Sequence, residues 1–172
     1  MGAIGMAAAE GILIMAGIAR LDAELVARFT MEPTPLLQFD KTPRGKRGVG
    51  FVRSGSFEGP AMKGEVLGGA DHLLVLADGA AVPDVRLALR TDDGVLIQME
   101  YRGVLRAPRA VMARFADPGS LDPSEYYFRV AVFFETADER YAALNQAVCV
   151  GYGFPVRING AAGVRYDVYK IL

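Results

Sequence analysis

The sequence predicts an all-β fold, either an antiparallel sandwich or an antiparallel barrel, and three observations lead to this prediction. Short segments rich in Val, Leu, Phe and Tyr recur along most of the chain at intervals of roughly ten residues. Turn dipeptides separate them, and Asp93-Gly94 is the clearest, because Asp-Gly tolerates the positive φ angles of a tight hairpin. Glycine is also frequent, with 20 in 172 residues, or about 12% against a usual ~7%, as many turns require.

The composition suits one globular domain and excludes several classes of site. The chain has 172 residues, of which 52% are hydrophobic and 23% are charged, so it can bury a core of its own. A formal net charge of -1 argues against a nucleic-acid-binding protein, which needs a basic surplus on one face. A single cysteine, Cys149, and a single histidine, His72, exclude an internal disulfide, zinc fingers and poly-histidine metal sites.

Residues 1–19 differ from the rest of the chain and are predicted to be a poorly ordered N-terminal extension to one domain, 20–172. The apolar stretch Gly11–Ala19 is much shorter than the ~20 residues that a membrane span requires. A cleaved export segment is the alternative, but the first basic residue is Arg20, whereas a signal peptide begins with basic residues. We therefore expect no membrane association and a cytoplasmic location.

The domain opens with a strand pattern that is followed by a basic segment. Leu21, Ala23, Leu25, Ala27 and Phe29 alternate with more polar positions, as in a half-buried strand that ends before two prolines. The segment Lys41–Gly48 then carries four basic residues and forms either a solvated loop or a clamp for an anion. The absence of a Walker-type glycine pattern and of an adjoining helix start favours the solvated loop.

Nine further segments have the composition of strands, and turn dipeptides separate several of them. The segments are Val49–Arg53, Gly55–Phe57, Met62–Leu67, Leu73–Leu76, Val85–Thr91, Val95–Tyr101, Tyr127–Glu135, Ala147–Gly151 and Val164–Lys170. The turn dipeptides are Gly68-Gly69, Asp78-Gly79, Asp93-Gly94 and Asn159-Gly160. Pro108–Ala116 has apolar residues at helical spacing, and Asp138–Gln146 follows an aspartate suited to capping, so both are predicted to be short helices or turns.

The strand Tyr127–Glu135 is the first candidate for chemistry, because its two faces differ. One face is wholly apolar, and the other carries Tyr127, Arg129 and Glu135. The strand considered alone favours the apolar face in the core. The opposite rotation would bury Arg129 and Glu135 as a charged pair, whose pKa values would be shifted in a way that suits proton transfer.

A second candidate group lies upstream. Asp84 and Arg86 are two positions apart on one face of a strand, and Asp71 precedes His72. A carboxylate near an arginine can act as a base, and a tyrosine hydroxyl can donate to an oxyanion. No Gly-x-Ser-x-Gly elbow and no complete dinucleotide-binding loop occurs, and Cys149 lies in an apolar run that predicts a buried, inert thiol. We therefore predict no metal and no cofactor.

The order of the motifs resembles that of a known family. TPRGKR (42–47), SGSFEGPAMKGEVLGGADHLLV (54–75), DGAAVPDVRLALRTDDGVLI (78–97), DPSEYYFRVAVFFET (122–136), RYAALNQAVCVG (140–151) and VRYDVYKIL (164–172) follow one another at characteristic separations. Over about residues 20–172 the chain is similar to the family catalogued as domain of unknown function 3237. The resemblance implies an antiparallel β-barrel with one or two short helices, an interior pocket and self-association into a homo-oligomer.

The resemblance also suggests site residues. Positions that match recurrent polar residues of the family are Asp71, Asp84, Arg86, Asp92, Asp93, Tyr127, Arg129, Glu135 and Asn145. Asp92 and Asp93 belong to the predicted Asp93-Gly94 hairpin and are therefore left out of the site. This recurrence favours the rotation of Tyr127–Glu135 that points its charged face into the barrel. The chain departs from the family at His72 and Ala143, where tryptophan is usual, and at Gln98, where an aromatic residue is common. These departures predict a larger, more polar pocket and a bulkier substrate.

The predicted function is that of a cofactor-independent enzyme, an isomerase, cyclase or lyase that transfers protons on a small to medium cyclic organic molecule inside the barrel. Glu135 or Asp71 would act as the base, Arg129 and Arg86 would hold a carboxylate or enolate oxygen, and Tyr127 would donate a proton. The substrate-binding residues would be His72, Gln98 and Asn145. The alternative is a barrel that binds a small organic ligand without catalysis.

Overall fold

Ten strands make up most of the computed structural model, which describes residues 21–117 and 121–172. The predicted extension 1–19 lies outside the described residues. The strands are β1 (Ala23–Pro33), β2 (Leu37–Thr42), β3 (Gly45–Glu58), β4 (Lys63–Val75), β5 (Ala81–Val82), β6 (Asp84–Thr91), β7 (Leu96–Arg106), β8 (Tyr127–Glu135), β9 (Cys149–Ile158) and β10 (Ala161–Ile171).

Eight of these strands close an antiparallel barrel, which confirms the predicted fold class. Around the barrel the neighbours are β1, β3, β4, β6, β7, β8, β9 and β10, and β10 pairs with β1 to complete the circle. The two remaining strands are short additions at one end: β2 pairs with the beginning of β3, and β5 pairs with the ends of β4 and β7. Closure leaves no free edge among the eight barrel strands.

Three of the four predicted turns are confirmed. Asp78-Gly79 lies between β4 and β5, where Gly79 has a φ of 89°. Asp93-Gly94 lies between β6 and β7, where Gly94 has a φ of 86°. Asn159-Gly160 lies between β9 and β10, and both residues have positive φ angles, as a type I′ turn requires. The prediction of a turn at Gly68-Gly69 is wrong, because β4 runs through both glycines, and its register against β6 shifts there as a β-bulge.

A second bulge alters the first strand. The alternation predicted from Leu21 to Phe29 fails before Ala27, since the register of β1 against β10 shifts between Leu25 and Ala27. Val26 and Ala27 are consequently both buried, and only from Ala27 onward do alternate residues face the interior. The basic segment 41–48, predicted as a loop, forms the β2–β3 hairpin, with its turn at Pro43 and Arg44.

The core fills the half of the barrel that is nearer the β6–β7 hairpin. Phe29 is fully buried there, and its ring lies 5.2 Å from that of Phe57 and 6.2 Å from that of Phe134 between centroids. Cys149 is also fully buried and free, as predicted, and burial raises the pKa of its thiol. Aromatic and aliphatic side chains from facing strands therefore close this half of the barrel.

The two predicted helical segments lie near opposite ends of the barrel. Helix α1 (Arg109–Met112) continues as a 3-10 helix over Ala113–Ala116 at the end formed by the last residues of β7 and the first residues of β8. The second segment is a 3-10 helix over Glu139–Gln146, and its Asp138 cap accepts a hydrogen bond from the Arg140 backbone N–H at 3.0 Å. Among the described residues, no helix is both long enough and apolar enough to span a bilayer.

Candidate functional site

The charged face of β8 lies on the outside of the barrel, so the prediction that it points inward is wrong. Phe128, Val130, Val132 and Phe134 are buried inside, whereas Tyr127 and Glu135 are exposed. Arg129 is half-buried on the outer surface, where its guanidinium carbon lies 3.7 Å from the centroid of the Tyr152 ring. The physical reason is that burying four apolar side chains is favourable, whereas burying an arginine and a glutamate is costly.

Arg86 also lies outside, contrary to the prediction that it faces the pocket. Val85, Leu87 and Leu89 occupy the inward positions of β6, and the side chain of Arg86 is exposed between them. Its guanidinium lies 3.5 Å from both the Asp84 and the Glu100 carboxylates across the outer surface. The strand alternation that buries the valine and leucines therefore excludes Arg86 from the interior.

The three predicted substrate-binding residues are likewise exposed. His72 faces outward on β4, and Gln98 faces outward on β7, next to Glu135 of β8. Asn145 holds the 3-10 helix against the end of β8: its Oδ1 accepts from the Thr136 N–H at 2.9 Å, and its Nδ2 donates to the Thr136 carbonyl at 2.8 Å. Because Ala143 is exposed as well, the prediction that these departures enlarge the pocket is wrong.

The interior of the barrel does contain a cavity. It lies at the end opposite Phe29, Phe57 and Phe134, which we call the phenylalanine cluster. Its volume is about 400 Å³, within the usual range for ligand pockets. Helix α1 and the 3-10 helix after it cover part of it with Met112 and Phe115. The remaining walls are mostly apolar and come from Pro33, Thr34, Leu36, Gly50, Val52, Leu73, Val75, Ala81, Pro83, Leu105, Phe128, Pro155, Gly163 and Val164.

Asp71 is the predicted catalytic residue that the structure places in this cavity. It lies on β4 beyond the bulge, which sets it on the inward side together with Leu73 and Val75. Its Oδ1 accepts a hydrogen bond from the Asp84 backbone N–H at 3.1 Å. Desolvation by the surrounding barrel raises the pKa of Asp71 to about 6, and the nearby Asp84 carboxylate adds to the rise, although the Asp84 N–H opposes it.

Two buried tyrosines, Tyr101 and Tyr166, line the same cavity. Their ring centroids are 5.0 Å apart, and both residues are almost fully buried. Burial raises the pKa of both phenols, and the negative charge of Asp71 raises them further. The cavity therefore combines a carboxylate that titrates near pH 6 with two neutral hydroxyl groups that can donate hydrogen bonds.

Sequence reasoning missed both tyrosines, although the pattern contains a signal for them. Tyr101 is in phase with the inward Ile97 and Met99, and Tyr166 is in phase with the inward Val168. A polar aromatic residue that continues an inward apolar row indicates a hydroxyl group inside the barrel. That signal would have identified both residues without reversing any strand.

Two glycines of β9, Gly151 and Gly153, leave room for side chains next to the cavity. Both glycines face inward on β9, and a Cβ at Gly153 would lie 2.4 Å from the nearest ring atom of Phe128. A Cβ at Gly151 would lie 2.7 Å from a methyl carbon of Val130. The missing side chains therefore leave the room in which Phe128 packs against Tyr166, with 5.3 Å between the ring centroids.

Within the described ranges 21–117 and 121–172, no three His, Cys, Asp or Glu side chains are grouped so that they could hold a metal ion.

Curated relatives of the chain are UPF0311 proteins. A UPF0311 protein of Clostridium acetobutylicum is 35% identical over 98 residues, which are 56% of this chain and 62% of that protein's length. A UPF0311 protein of Rhodopseudomonas palustris is 30% identical over 139 residues, which cover 77% of this chain and 88% of the relative.

Solved structures share the barrel. A β-barrel-like protein from Acinetobacter baumannii matches with a TM-score of 0.74 and 33% identity, over 89% of this chain and 97% of the other. A protein described as an enzyme from Penicillium herquei matches with a TM-score of 0.64 over 88% of this chain and 95% of the other. Its identity is 22%, so this second likeness shows the fold alone.

The family assignment rests on a match along nearly the whole described chain. The family model for proteins of unknown function designated DUF3237 matches residues 21–171, from two residues before β1 to the end of β10. This range contains the barrel, Asp71 and both cavity tyrosines. The chain therefore belongs to the DUF3237 family.

Proposed function

We propose that the protein is an enzyme that transfers a proton on a small cyclic organic molecule held inside the barrel, as an isomerase, cyclase or lyase does. The observation that carries this proposal is the position of Asp71, a carboxylate with a pKa raised to about 6, in an apolar cavity lined by Tyr101 and Tyr166. A base whose pKa lies near the working pH is suited to accept a proton from carbon or oxygen. The three side chains supply this chemistry without a cofactor.

The proposed step begins with removal of a proton by Asp71. An Asp71 carboxylate oxygen takes a proton from a carbon next to a substrate carbonyl, and the C–H electron pair moves to form an enolate. The protonated Asp71 then returns the proton to another carbon or to the oxygen of the intermediate, which gives an isomer of the substrate. Substrate and product have the same atoms, and the base is regenerated.

The two tyrosines would stabilise the negative charge that develops on the substrate oxygen. Their raised pKa values keep both phenols protonated at neutral pH, so each can act as a hydrogen-bond donor. A donor fixed in an apolar cavity stabilises an enolate more than water does, because it needs no reorganisation during the reaction. Each phenol has one hydroxyl proton that it can donate to the substrate oxygen.

The shape and lining of the cavity support a cyclic substrate. A volume of about 400 Å³ accommodates a molecule of one or two rings, and the proline, leucine and phenylalanine walls suit a ring that has few polar groups. The enzyme from Penicillium herquei supports the proposal only in showing that a barrel of this fold serves catalysis in another protein.

The test measures exchange of carbon-bound hydrogen in D2O. Cyclic ketones with one and two rings would be incubated with the protein at pD near 7.5, and deuterium uptake next to the carbonyl would be followed by NMR. We expect the wild-type protein to accelerate uptake for at least one ketone. Asp71→Asn should slow that exchange by about 100-fold or more, since the base is lost.

Asp92→Asn is the matched control, because Asp92 lies exposed in the β6–β7 turn. This variant should exchange at the wild-type rate. Equal rates for wild type and Asp71→Asn would contradict the proposal. Binding of a ketone to wild type without exchange in any member of the panel would instead support a ligand-binding barrel without catalysis.

Single substitutions of the tyrosines test the oxyanion role. Tyr101→Phe and Tyr166→Phe keep the ring packing and remove one hydroxyl each, so the variant that loses the substrate's hydrogen-bond donor should exchange about 100-fold more slowly. The other variant should exchange about tenfold more slowly, because it keeps the donating hydroxyl group and only the orientation of that hydroxyl is relaxed. Unchanged exchange in both variants would remove the tyrosines from the mechanism while leaving Asp71 as the base.

A further inference from the structure

A second cavity, which we call the vestibule, adjoins the cavity that contains Asp71. Its volume is about 820 Å³. Its walls are the β2–β3 turn, the residues that follow β4, and the beginning of α1 with the residue Ala107 before it. Val75 and Met112 line both cavities, so the two cavities are adjacent.

The vestibule has a surplus of positive charge. Its charged lining consists of four basic side chains, Lys41, Arg44, Lys46 and Arg109, and one acidic side chain, Asp78. The Oδ1 atom of Asp78 accepts a hydrogen bond from the Ala80 N–H at 2.9 Å, so this carboxylate is engaged in its own turn. In the part of the chain that the structure describes, none of the four basic side chains has a carboxylate within 4.0 Å.

The hairpin that carries three of these residues is fixed beside the cavity mouth. Gly45 has a φ of 132°, and a Cβ there would lie only 2.4 Å from the Val75 carbonyl oxygen, so glycine allows the turn to pack against the end of β4. The Thr42 hydroxyl donates to the Gly45 carbonyl at 2.8 Å and orders the turn. The basic side chains therefore start from a backbone that is held at the mouth.

The close placement of these basic side chains lowers local stability, which indicates that the vestibule binds an anion. Lys41 and Lys46 are directly opposite each other in the hairpin, and like charges at paired positions are destabilising. Arg109 adds a further positive charge from a different element. An anion between these groups would relieve their repulsion, and local conflicts of this kind are expected at functional sites.

We propose that the vestibule binds an anionic group of the substrate, a carboxylate or phosphate, while the attached ring enters the inner cavity. This inference rests on the proposed function, because it takes the inner cavity as the ring-binding site, and it names the substrate class as cyclic organic anions. The Asp71 carboxylate repels an anion in the inner cavity, so charge also sets the orientation: ring inward, anion outward.

The test compares the binding of two probes, 2-naphthoate and 2-naphthamide, which share a two-ring body and differ in charge. Dissociation constants would be measured by ligand-observed NMR at pH 7.5 in low salt. We expect wild type to bind 2-naphthoate about tenfold more tightly than the amide, and 0.5 M NaCl to reduce this preference. Lys46→Gln/Arg109→Gln should remove most of the preference and leave amide binding unchanged.

Arg53→Gln/Lys63→Gln is the matched control, because it removes one arginine and one lysine that line neither cavity. Arg53 is exposed seven positions from Lys46 along β3, or about 23 Å. This control should keep the wild-type preference. Equal binding of acid and amide, binding of neither probe, or a preference that survives Lys46→Gln/Arg109→Gln would each overturn the inference.

The two proposals fail in different ways. A charge preference located in the vestibule, together with no deuterium exchange for any ketone, would leave the anion site in place and contradict the catalytic role of Asp71. Deuterium exchange that depends on Asp71, together with equal binding of acid and amide, would support the catalytic role of Asp71 and contradict the anion site.

Discussion

Asp71→Asn should make the protein more stable at pH 7.5, by up to about 3 kcal/mol in the free energy of unfolding. The folded protein raises the pKa of this carboxyl from 3.8 to about 6, which corresponds to about 3 kcal/mol as an order of magnitude. The proton is therefore bound more tightly in the folded state than in the unfolded state. Ionisation of Asp71 lowers stability as the pH rises from about 4 to about 6, and asparagine removes that loss.

Urea unfolding followed by circular dichroism at pH 4 and pH 7.5 measures this effect. The difference between Asp71→Asn and wild type should be large at pH 7.5 and shrink toward zero at pH 4, where the carboxyl is protonated in the folded protein. Asparagine retains an oxygen that can accept from the Asp84 N–H, so the hydrogen bond is preserved. Asp92→Asn should change stability by less than about 0.5 kcal/mol at both pH values.

A variant less stable than wild type at pH 7.5 would contradict the burial of an ionised Asp71. We expect Asp71→Asn to be more stable than wild type and to have lost proton exchange. This is the trade-off between stability and activity found where an active site holds a group, here an ionised carboxylate, in an unfavourable environment. It distinguishes a functional carboxylate from a structural one, whose removal lowers stability.

Phe29→Ala should lower the free energy of unfolding by about 4 kcal/mol. Phe29 is 0% exposed and stacks on both Phe57 and Phe134, so alanine would leave a cavity that the surrounding closed sheet cannot fill. Against a typical stability of about 5–15 kcal/mol, this loss is a large part of the total. Urea unfolding at pH 7.5 would measure it.

Phe133→Ala is the matched control, since Phe133 is 44% exposed on the outer face of β8. It should cost less than about 1 kcal/mol. If the two alanine variants lose equal stability, the assignment of inner and outer faces to these strands is contradicted. Phe29→Ala should also keep the naphthamide affinity at a temperature where it is folded, because Phe29 does not line the cavity.

The barrel could be predicted from the sequence because its determinants are local. Asp93-Gly94 and Asn159-Gly160 specify their own turns, and strand composition recurs between such turns. Gly68-Gly69 was misread as a turn because a glycine pair serves a bulge as readily as a hairpin, and the partner strands decide between the two. The family resemblance then decided between a sandwich and a barrel.

The site was harder to predict, because the side of a strand that faces inward depends on the whole sheet. For β8 the alternation alone gave the correct answer, and recurrence of Arg129 and Glu135 in the family reversed it wrongly. Recurrent polar residues also occur on outer surfaces, where they pack and pair: Arg129 stacks on Tyr152, and Arg86 lies near Glu100. Asp71 was predicted from the family resemblance. It faces inward because β4 continues past the bulge, and no local pattern in the sequence revealed that direction.

The separation of the phenylalanine cluster from the ligand cavity has a consequence for how such barrels diversify. Residues at the open end can change identity in a lineage without loosening the packed end, since the two sets of side chains lie at opposite ends of the same closed sheet. A barrel of this kind can acquire new substrates by substitution at one rim while the other rim preserves its foldability. Libraries for directed evolution should therefore randomise the walls around Asp71 and leave the stacked rings intact.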